Sequence, residues 1–301
     1  MSWNPIVVGV DASAEAAQAA AFAADAARRA ATTCHLVHAV RDPFAALPVP
    51  EGDRYRHALC EQARAQVIAA LRDAAVPQAL LDALVVRLGP TPQVLNAAVA
   101  ALGAELVVLG GKHHSALGRW LGGSTSLNVA RTTRVPVLVT VGPVAVRRVL
   151  AAVDTSAAAR PTLAAAERYA ALFGARLRAL SVLEPVPVIP EVTPPDATEF
   201  YRLIEAALER DVWPLLRAPG AETIVRHGLA VETILREAVE WHADLLVVGS
   251  HGRGWTERLL VGSVTERLLN HLPTSLLVVP AAAAAEPARQ PERERAAAAA
   301  R

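Results

Sequence analysis

The sequence predicts an α/β chain made of two tandem halves. Each half is expected to be a doubly wound, five-stranded parallel sheet with helices on both faces. Three observations carry this. First, the chain is written twice: Ala104–Gly110 (AELVVLG) returns as Ala243–Gly249 (ADLLVVG), and Gly89 and Gly123-Ser124 return as Gly228 and Gly262-Ser263, all at an offset of 139 residues. A repeat of this length is a domain duplication rather than a solenoid. Second, each half alternates short aliphatic runs with longer helical stretches, the pattern of βα units. Third, the aliphatic runs are continuous rather than alternating, as in strands buried on both faces of a helix-covered parallel sheet.

In order, residues 6–10 are an apolar run closed by Asp11, followed by an alanine-rich helix over 13–31. Strand 35–40 leads to a long helix over 51–74, then strand 84–88, helix 92–102, strand 105–109, helix 124–132 and strand 136–141. The second half repeats this with strands near 148–153, 177–182, 222–226, 244–248 and 275–279. Asp154 sits where Asp11 sits, at an offset of 143, so a few residues of length difference fall in loops between. The halves divide as 1–142 and 147–280. Their connection, Gly142–Arg147, is too short for independent beads, so they should pack together. Residues 281–301 are alanine, arginine, glutamate and proline without apolar period, and read as a disordered tail.

Composition narrows the function classes. Of 301 residues, 53% are hydrophobic and only 4% aromatic, so the core must be built from small and branched aliphatics. Thirty basic against 29 acidic residues give a net charge of +1, without the basic excess of a nucleic-acid binder. Lys112 is the only lysine, and it stands in a glycine-containing loop. Cys34 and Cys60 make neither a disulfide framework nor a zinc spacing. The start lacks the basic region of a signal peptide, and no 18-residue uncharged apolar stretch is present. The expectation is a soluble, cytoplasmic protein with no nucleic-acid or membrane partner.

The informative segment is Gly249–Ser263, GSHGRGWTERLLVGS, between a strand and a helix. Glycine at 249 and 252 permits positive φ and lets backbone N–H groups approach an anion without a Cβ between them. Ser263, with Glu266 three residues later, has the sequence of a capping box. The helix that follows presents free N–H groups and the positive end of its dipole. Other phosphate loops fail. Gly110-Gly111-Lys112 runs into His113 and lacks the first glycine of a Walker A loop, and Glu257 stands where a third dinucleotide-loop glycine would be. No nucleophile elbow occurs.

The spacing present is G-x2-G-x9-G-[ST], through Gly249, Gly252, Gly262 and Ser263. With a strand ending in Val153-Asp154 and a tandem layout of about 140 residues per half, the chain resembles the universal stress protein family, and within it the tandem members that bind ATP. The resemblance spans residues 5–280. It implies Rossmann-like sheets of the adenine-nucleotide-binding type, with ATP over the strand ends and Mg²⁺ accompanying the phosphates. It places Val153 and Asp154 at the ribose or adenosine, and Ser181, through its backbone, near the adenine. Val248, Gly249 and Gly252 line ribose and phosphates, and Gly262, Ser263 and Val264 hold phosphates at the helix start. Asp154 and Ser263 are also ordinary capping residues.

The first half keeps Asp11, Ala39, Leu109, Gly110, Gly123, Ser124 and Thr125 at the matching places. It has His113 where the second glycine belongs, so a weakened or altered site is expected there. At positive φ a histidine would cost on the order of 1–2 kcal/mol, although Lys112, His113 and His114 could replace backbone contacts. His35 and His38 do not share a strand face, and His113 and His114 are adjacent, so neither pair chelates well. His251 has no fixed acid or nucleophile beside it in sequence. The leading expectation is an ATP-binding stress-response or regulatory protein with at most slow hydrolysis. Its rivals are an ATP-cleaving enzyme, which would have only Glu257 in this loop, and a nucleotide-free dimeric scaffold. The last strands, 136–141 and 275–279, could pair within the chain as a pseudo-dimer or between chains as a homo-oligomer.

Overall fold

A computed structural model describes residues 4–43, 52–111, 124–142, 145–185, 197–250 and 261–281. In the first half the elements are β1 (Ile6–Gly9), α1 (Ala14–Arg29), β2 (Cys34–Val40), α2 (Gly52–Leu71), α3 (Gln78–Asp82), β3 (Val85–Leu88), α4 (Thr91–Leu102), β4 (Leu106–Gly110), α5 (Ser124–Thr132) and β5 (Val137–Thr140). The second half continues with β6 (Arg148–Ala152), α6 (Ala159–Phe173), β7 (Arg176–Leu183), α7 (Ala197–Ala207), β8 (Glu222–His227), α8 (Ala230–Glu240), β9 (Leu245–Gly249), α9 (Ser263–Asn270) and β10 (Ser275–Val279). A π-type turn over Leu208–Val212 and a short 3₁₀ turn over Trp213–Leu215 follow α7.

All ten strands form one sheet, ordered β3-β2-β1-β4-β5-β10-β9-β6-β7-β8. Within each half every pairing is parallel. The chain builds outward from β1 through β3, then returns to add β4 and β5 on the other side. The strand order therefore reverses between β1 and β4, and again between β6 and β9. In open parallel sheets such a reversal opens a crevice at the carboxyl ends of the strands.

The alternation of side chains explains the two cores. Ile6 and Val8 face one layer, where α1, α2 and α6 pack, while Val7 faces the other, with α4, α5, α8 and α9. Both faces are buried, which is why the strand sequences are uninterrupted aliphatics. The helices begin and end on local chemistry. Ser13 caps α1 by accepting a hydrogen bond from the Ala16 N–H at 3.1 Å. Gly103 and Gly174 close α4 and α6 at φ +61° and +65°, where a side chain would be strained.

The last strands of the two halves pair with each other inside the chain. β5 runs antiparallel to β10, with Leu138 opposite Leu277. The seam is tight: a Cβ on Gly111 would sit 2.5 Å from Val139 Cγ1 and 2.9 Å from Leu272 Cδ1. Ser275 Oγ accepts the Val141 N–H at 3.1 Å. Arg131 of α5 reaches Glu266 of α9 at 2.9 Å, and Arg168 of α6 reaches Glu105 at 2.8 Å. Phe22 of α1 stacks on Phe173 of α6 at 5.6 Å. The two halves are thus one continuous structure.

Candidate functional site

The strand-order reversal in the second half holds a cavity of about 520 Å³. Its floor is the carboxyl end of the sheet: Ala152, Val153 and Asp154 after β6, Leu180, Val182 and Leu183 of β7, and Val248 and Gly249 of β9. The start of α6 (Ala158, Ala159, Thr162) forms one wall, and the start of α9 (Gly262, Ser263, Val264, Thr265) another. The remaining boundary is Glu184, Pro185, Phe200 and Ile204, with Ala230 and Ile234 of α8. The lining therefore combines the starts of two helices with aliphatic side chains, one aromatic ring and the carboxylates of Asp154 and Glu184 among the described residues.

Asp154 is positioned by the turn it starts. Its Oδ1 accepts the Ser156 N–H at 3.0 Å, and Ser156 Oγ accepts the Ala158 N–H at 3.3 Å. Helix α6 begins only at Ala159, five residues after Asp154, and the intervening turn leaves room above β6. In the first half α1 begins three residues after Asp11. Asp11 accepts hydrogen bonds from the N–H (3.0 Å) and hydroxyl of Ser13 and is exposed. Glycine at 110 answers a packing demand: its Cβ would lie 2.5 Å from the carbonyl carbon and oxygen of Glu15 in α1. Neither Gly110 nor Gly249 has a positive φ. The freedom that glycine permits at 249 is not used for a left-handed backbone; Gly249 is the last residue of β9.

The start of α9 also differs from the capping-box expectation. Gly262, extended at φ −72° and ψ 158°, is the cap residue, and as a glycine it makes no side-chain cap bond. Ser263 is the first helical residue and is exposed, and Glu266 turns outward to Arg131 of the first half. The reason is local. Gly262 N–H donates to the Ser250 carbonyl at 2.7 Å, which ties the cap position to the end of β9 one residue before the serine. Thr265, buried, donates its hydroxyl to the Gly249 carbonyl at 2.7 Å. Two bonds thus fix α9 over the strand end, and its first turn, Gly262 to Thr265, borders the cavity.

Of the expected second-half residues, Val153, Asp154, Val248, Gly249, Gly262, Ser263 and Val264 all border the cavity. Gly252 lies outside the described residues, as do His251 and Glu257. Ser181 is fully buried, its hydroxyl is without a hydrogen-bond partner, and it does not line the cavity. The register explains the displacement. Val37 stands opposite Gly9, and Leu180 opposite Ala152, so Ala39 corresponds to Val182 rather than Ser181. The offset of 143 between Asp11 and Asp154 already contained that information. Val182 does line the cavity, and so do Thr162, Phe200 and Ile204, which the glycine motif could not reveal.

In the first half, Leu109 is buried, Gly110 ends β4, Ala39 is half-buried in β2, and Thr125 is exposed in the first turn of α5. Ser124 begins α5. Gly123, Lys112, His113 and His114 lie outside the described residues. Among the described residues no group of three or more His, Cys, Asp or Glu side chains could hold a metal ion. Nor is any described helix long and apolar enough to cross a membrane.

A doubly wound parallel sheet with a strand-end cavity, an aspartate closing the first strand and a glycine-started helix define a Rossmann-like α/β fold, here duplicated in tandem. Comparison with known proteins makes this specific. The model for the universal stress protein family matches residues 2–140 and again 145–280. A universal stress protein of Mycolicibacterium smegmatis is 30% identical over 304 residues, covering 91% of this chain and 96% of the relative. One from Mycobacterium tuberculosis (strain ATCC 25618 / H37Rv) is 29% identical over 296 residues, with the same coverages of 91% and 96%. Among solved structures, a universal stress protein from Archaeoglobus fulgidus DSM 4304 superposes with a TM-score of 0.63 at 18% identity, over 93% of this chain and 100% of that one. The chain belongs to the universal stress protein family, in its two-domain form.

Proposed function

We propose that the chain is an ATP-binding regulatory protein of the stress response whose nucleotide site is the second-half cavity. The observation that carries this is the cavity itself: about 520 Å³, at the point where strand order reverses, with Asp154 and the N–H end of α9 both on its wall. A volume of this order suits a nucleotide. The start of α9 suits phosphate, because its cap residue is a glycine with no side chain to occupy the first N–H groups and the helix dipole adds to them. Asp154 suits a ribose hydroxyl, and Gly262, Ser263 and Val264 suit the phosphate oxygens. Gly249 and Gly252 complete the motif in sequence.

Mg²⁺ would be held chiefly by the phosphates and water. Asp154 and Glu184 are the carboxylates bordering the cavity among the described residues, and neither belongs to a metal-ligating cluster. The residues serve binding rather than turnover, so occupancy would act through conformation and partner choice. Glu266 provides a path: it lies in the first turn of α9 and bonds Arg131 of the first half, so a shift of α9 is felt across the seam. We place the protein in the cytoplasm and expect self-association to add to the intrachain pairing.

Calorimetric titration of nucleotide-stripped protein with Mg-ATP tests the reading. One site per chain, abolished by Gly252→His, is the expected result. Absence of heat and of competition at several temperatures would leave a nucleotide-free scaffold. Two sites per chain would mean that Lys112, His113 and His114 serve in place of the missing glycine.

A further inference from the structure

Part of the cavity wall is built by a helix that the glycine motif does not contain. Phe200 and Ile204, one turn apart on α7, border the cavity together with Val182 of β7. Both side chains are half-buried, although α7 is otherwise open to solvent and Leu203 on its outer face is 60% exposed. The helix is held from behind. The Tyr201 ring meets His227, the last residue of β8, edge-on at 4.7 Å, and Phe200 leans on Tyr201 at 5.9 Å. Beyond its carboxyl end, Leu208 and Val212 of the π-type turn and Trp213 are buried in the core. A π-type turn re-aims the chain where an α-helix would run straight on. The aromatic ring is thus presented on a fixed support.

The first half closes the same corner differently. Val40 ends β2 as Leu183 ends β7: each carbonyl accepts the N–H of a following glycine, Gly89 at 2.8 Å and Gly228 at 3.0 Å. Two residues past Val40, Asp42 takes the guanidinium of Arg56 from α2 at 2.9 Å, and the Asp42 side chain is only 14% exposed. Asp42 thus stands, two residues past its strand, where the second half has the cavity residue Pro185, and it carries an ion pair there. Apolar surface with an aromatic face suits a planar heterocycle, and a paired charge does not.

We infer that α7 is the base-selecting wall of the second-half site, with Phe200 stacking on a purine ring and Ile204 and Val182 packing beside it. This rests on the nucleotide reading above. It also gives a reason, independent of the loop at His113, for the second half to be the one that takes a nucleotide. Stacking area grows with ring size, so a purine nucleotide is held more tightly than a pyrimidine one.

The experiment is titration of the full chain with Mg-ATP, Mg-CTP and inorganic triphosphate, in the wild type and in Phe200→Ala, Phe200→Leu and Phe200→Trp. Wild type is expected to prefer ATP over CTP. Phe200→Ala and Phe200→Leu should each weaken ATP about tenfold and bring the ATP/CTP ratio towards one, while triphosphate is unchanged. Phe200→Trp should restore ATP affinity. Unfolding midpoints of the unliganded variants should stay near wild type, since Phe200 borders an open space. The inference is overturned if Phe200→Ala binds ATP and CTP as wild type does. It is equally overturned if triphosphate weakens as much as ATP, because Phe200 would then support the fold rather than the base. A wild type that binds triphosphate but shows no preference among bases refutes the inference and leaves the phosphate site standing. A wild type that binds none of the three removes the nucleotide reading itself.

Discussion

Two substitutions on one helix turn separate the capping box written in the sequence from the arrangement the structure adopts. If Ser263 capped α9, Ser263→Ala would cost about 1 kcal/mol. The structure makes it an exposed first-turn residue with Gly262 as the cap, so the expected change is within about 0.5 kcal/mol. Thr265 is 4% exposed and gives its hydroxyl to the Gly249 carbonyl at 2.7 Å. Thr265→Val keeps the volume and removes that donor, at a cost of about 1–2 kcal/mol. The assay is urea unfolding of the nucleotide-free protein, with the two midpoints compared at an unchanged denaturant slope. A loss of 1 kcal/mol or more for Ser263→Ala, or none for Thr265→Val, would refute the account of how α9 is fixed over the strand end. The same Thr265→Val protein should bind Mg-ATP more weakly, since the first N–H groups of α9 lose their anchor.

Burial pushes the Cys34 thiol up to about 12, so at pH 8 it stays protonated. A thiol-specific chromogenic reagent should therefore label half-buried Cys60 in the native protein and Cys34 only after denaturation. Glu222, bonded by Arg178 and then Arg176, is held below its ordinary value of 4.5. A folded value lower than the unfolded one means this contribution is present above pH 4.5 and is lost as pH falls through the folded value. Glu222→Gln should accordingly flatten the acid limb of a stability–pH curve and leave its neutral slope alone. Gly110→Ala puts a methyl 2.5 Å from the Glu15 backbone and should cost towards the upper end of about 1–3 kcal/mol, whereas Gly103→Ala, with nothing within 4 Å, meets only its left-handed backbone and should cost about 1–2 kcal/mol in urea titrations.

Much of this architecture was legible in the sequence because its strands are uninterrupted aliphatic runs and because the halves repeat. Val107-Val108-Leu109 and Leu246-Val247-Val248 have no polar residue on either face, and only a sheet covered on both sides requires that. Helix α3, five residues without a capping side chain, leaves no such trace. The pairing of β5 with β10 was not decidable either. Val137–Val139 is apolar on both faces whether its outer edge meets a strand of the same chain or of another. At the site, the glycines and Asp154 could be read as a motif, but whether Ser181 or Val182 borders the cavity depends on the register of β7 against β6, which no residue in the strand marks. Phe200 and Ile204 could not be read at all. They reach the cavity through the path of α7 across the strand ends, and no local spacing encodes that path.

The antiparallel seam between β5 and β10 has one further consequence. Joining the halves by residues 141–147 converts what would be an association of two molecules into a contact within one, at an effective concentration that dilution cannot lower. At this seam each half meets the other half rather than a copy of itself. The symmetry that binds two identical subunits to identical sequences is thereby lifted. One half can carry the Arg56–Asp42 ion pair just past its second strand while its neighbour has Pro185 on the cavity wall at that place, and every molecule carries the two in fixed one-to-one proportion.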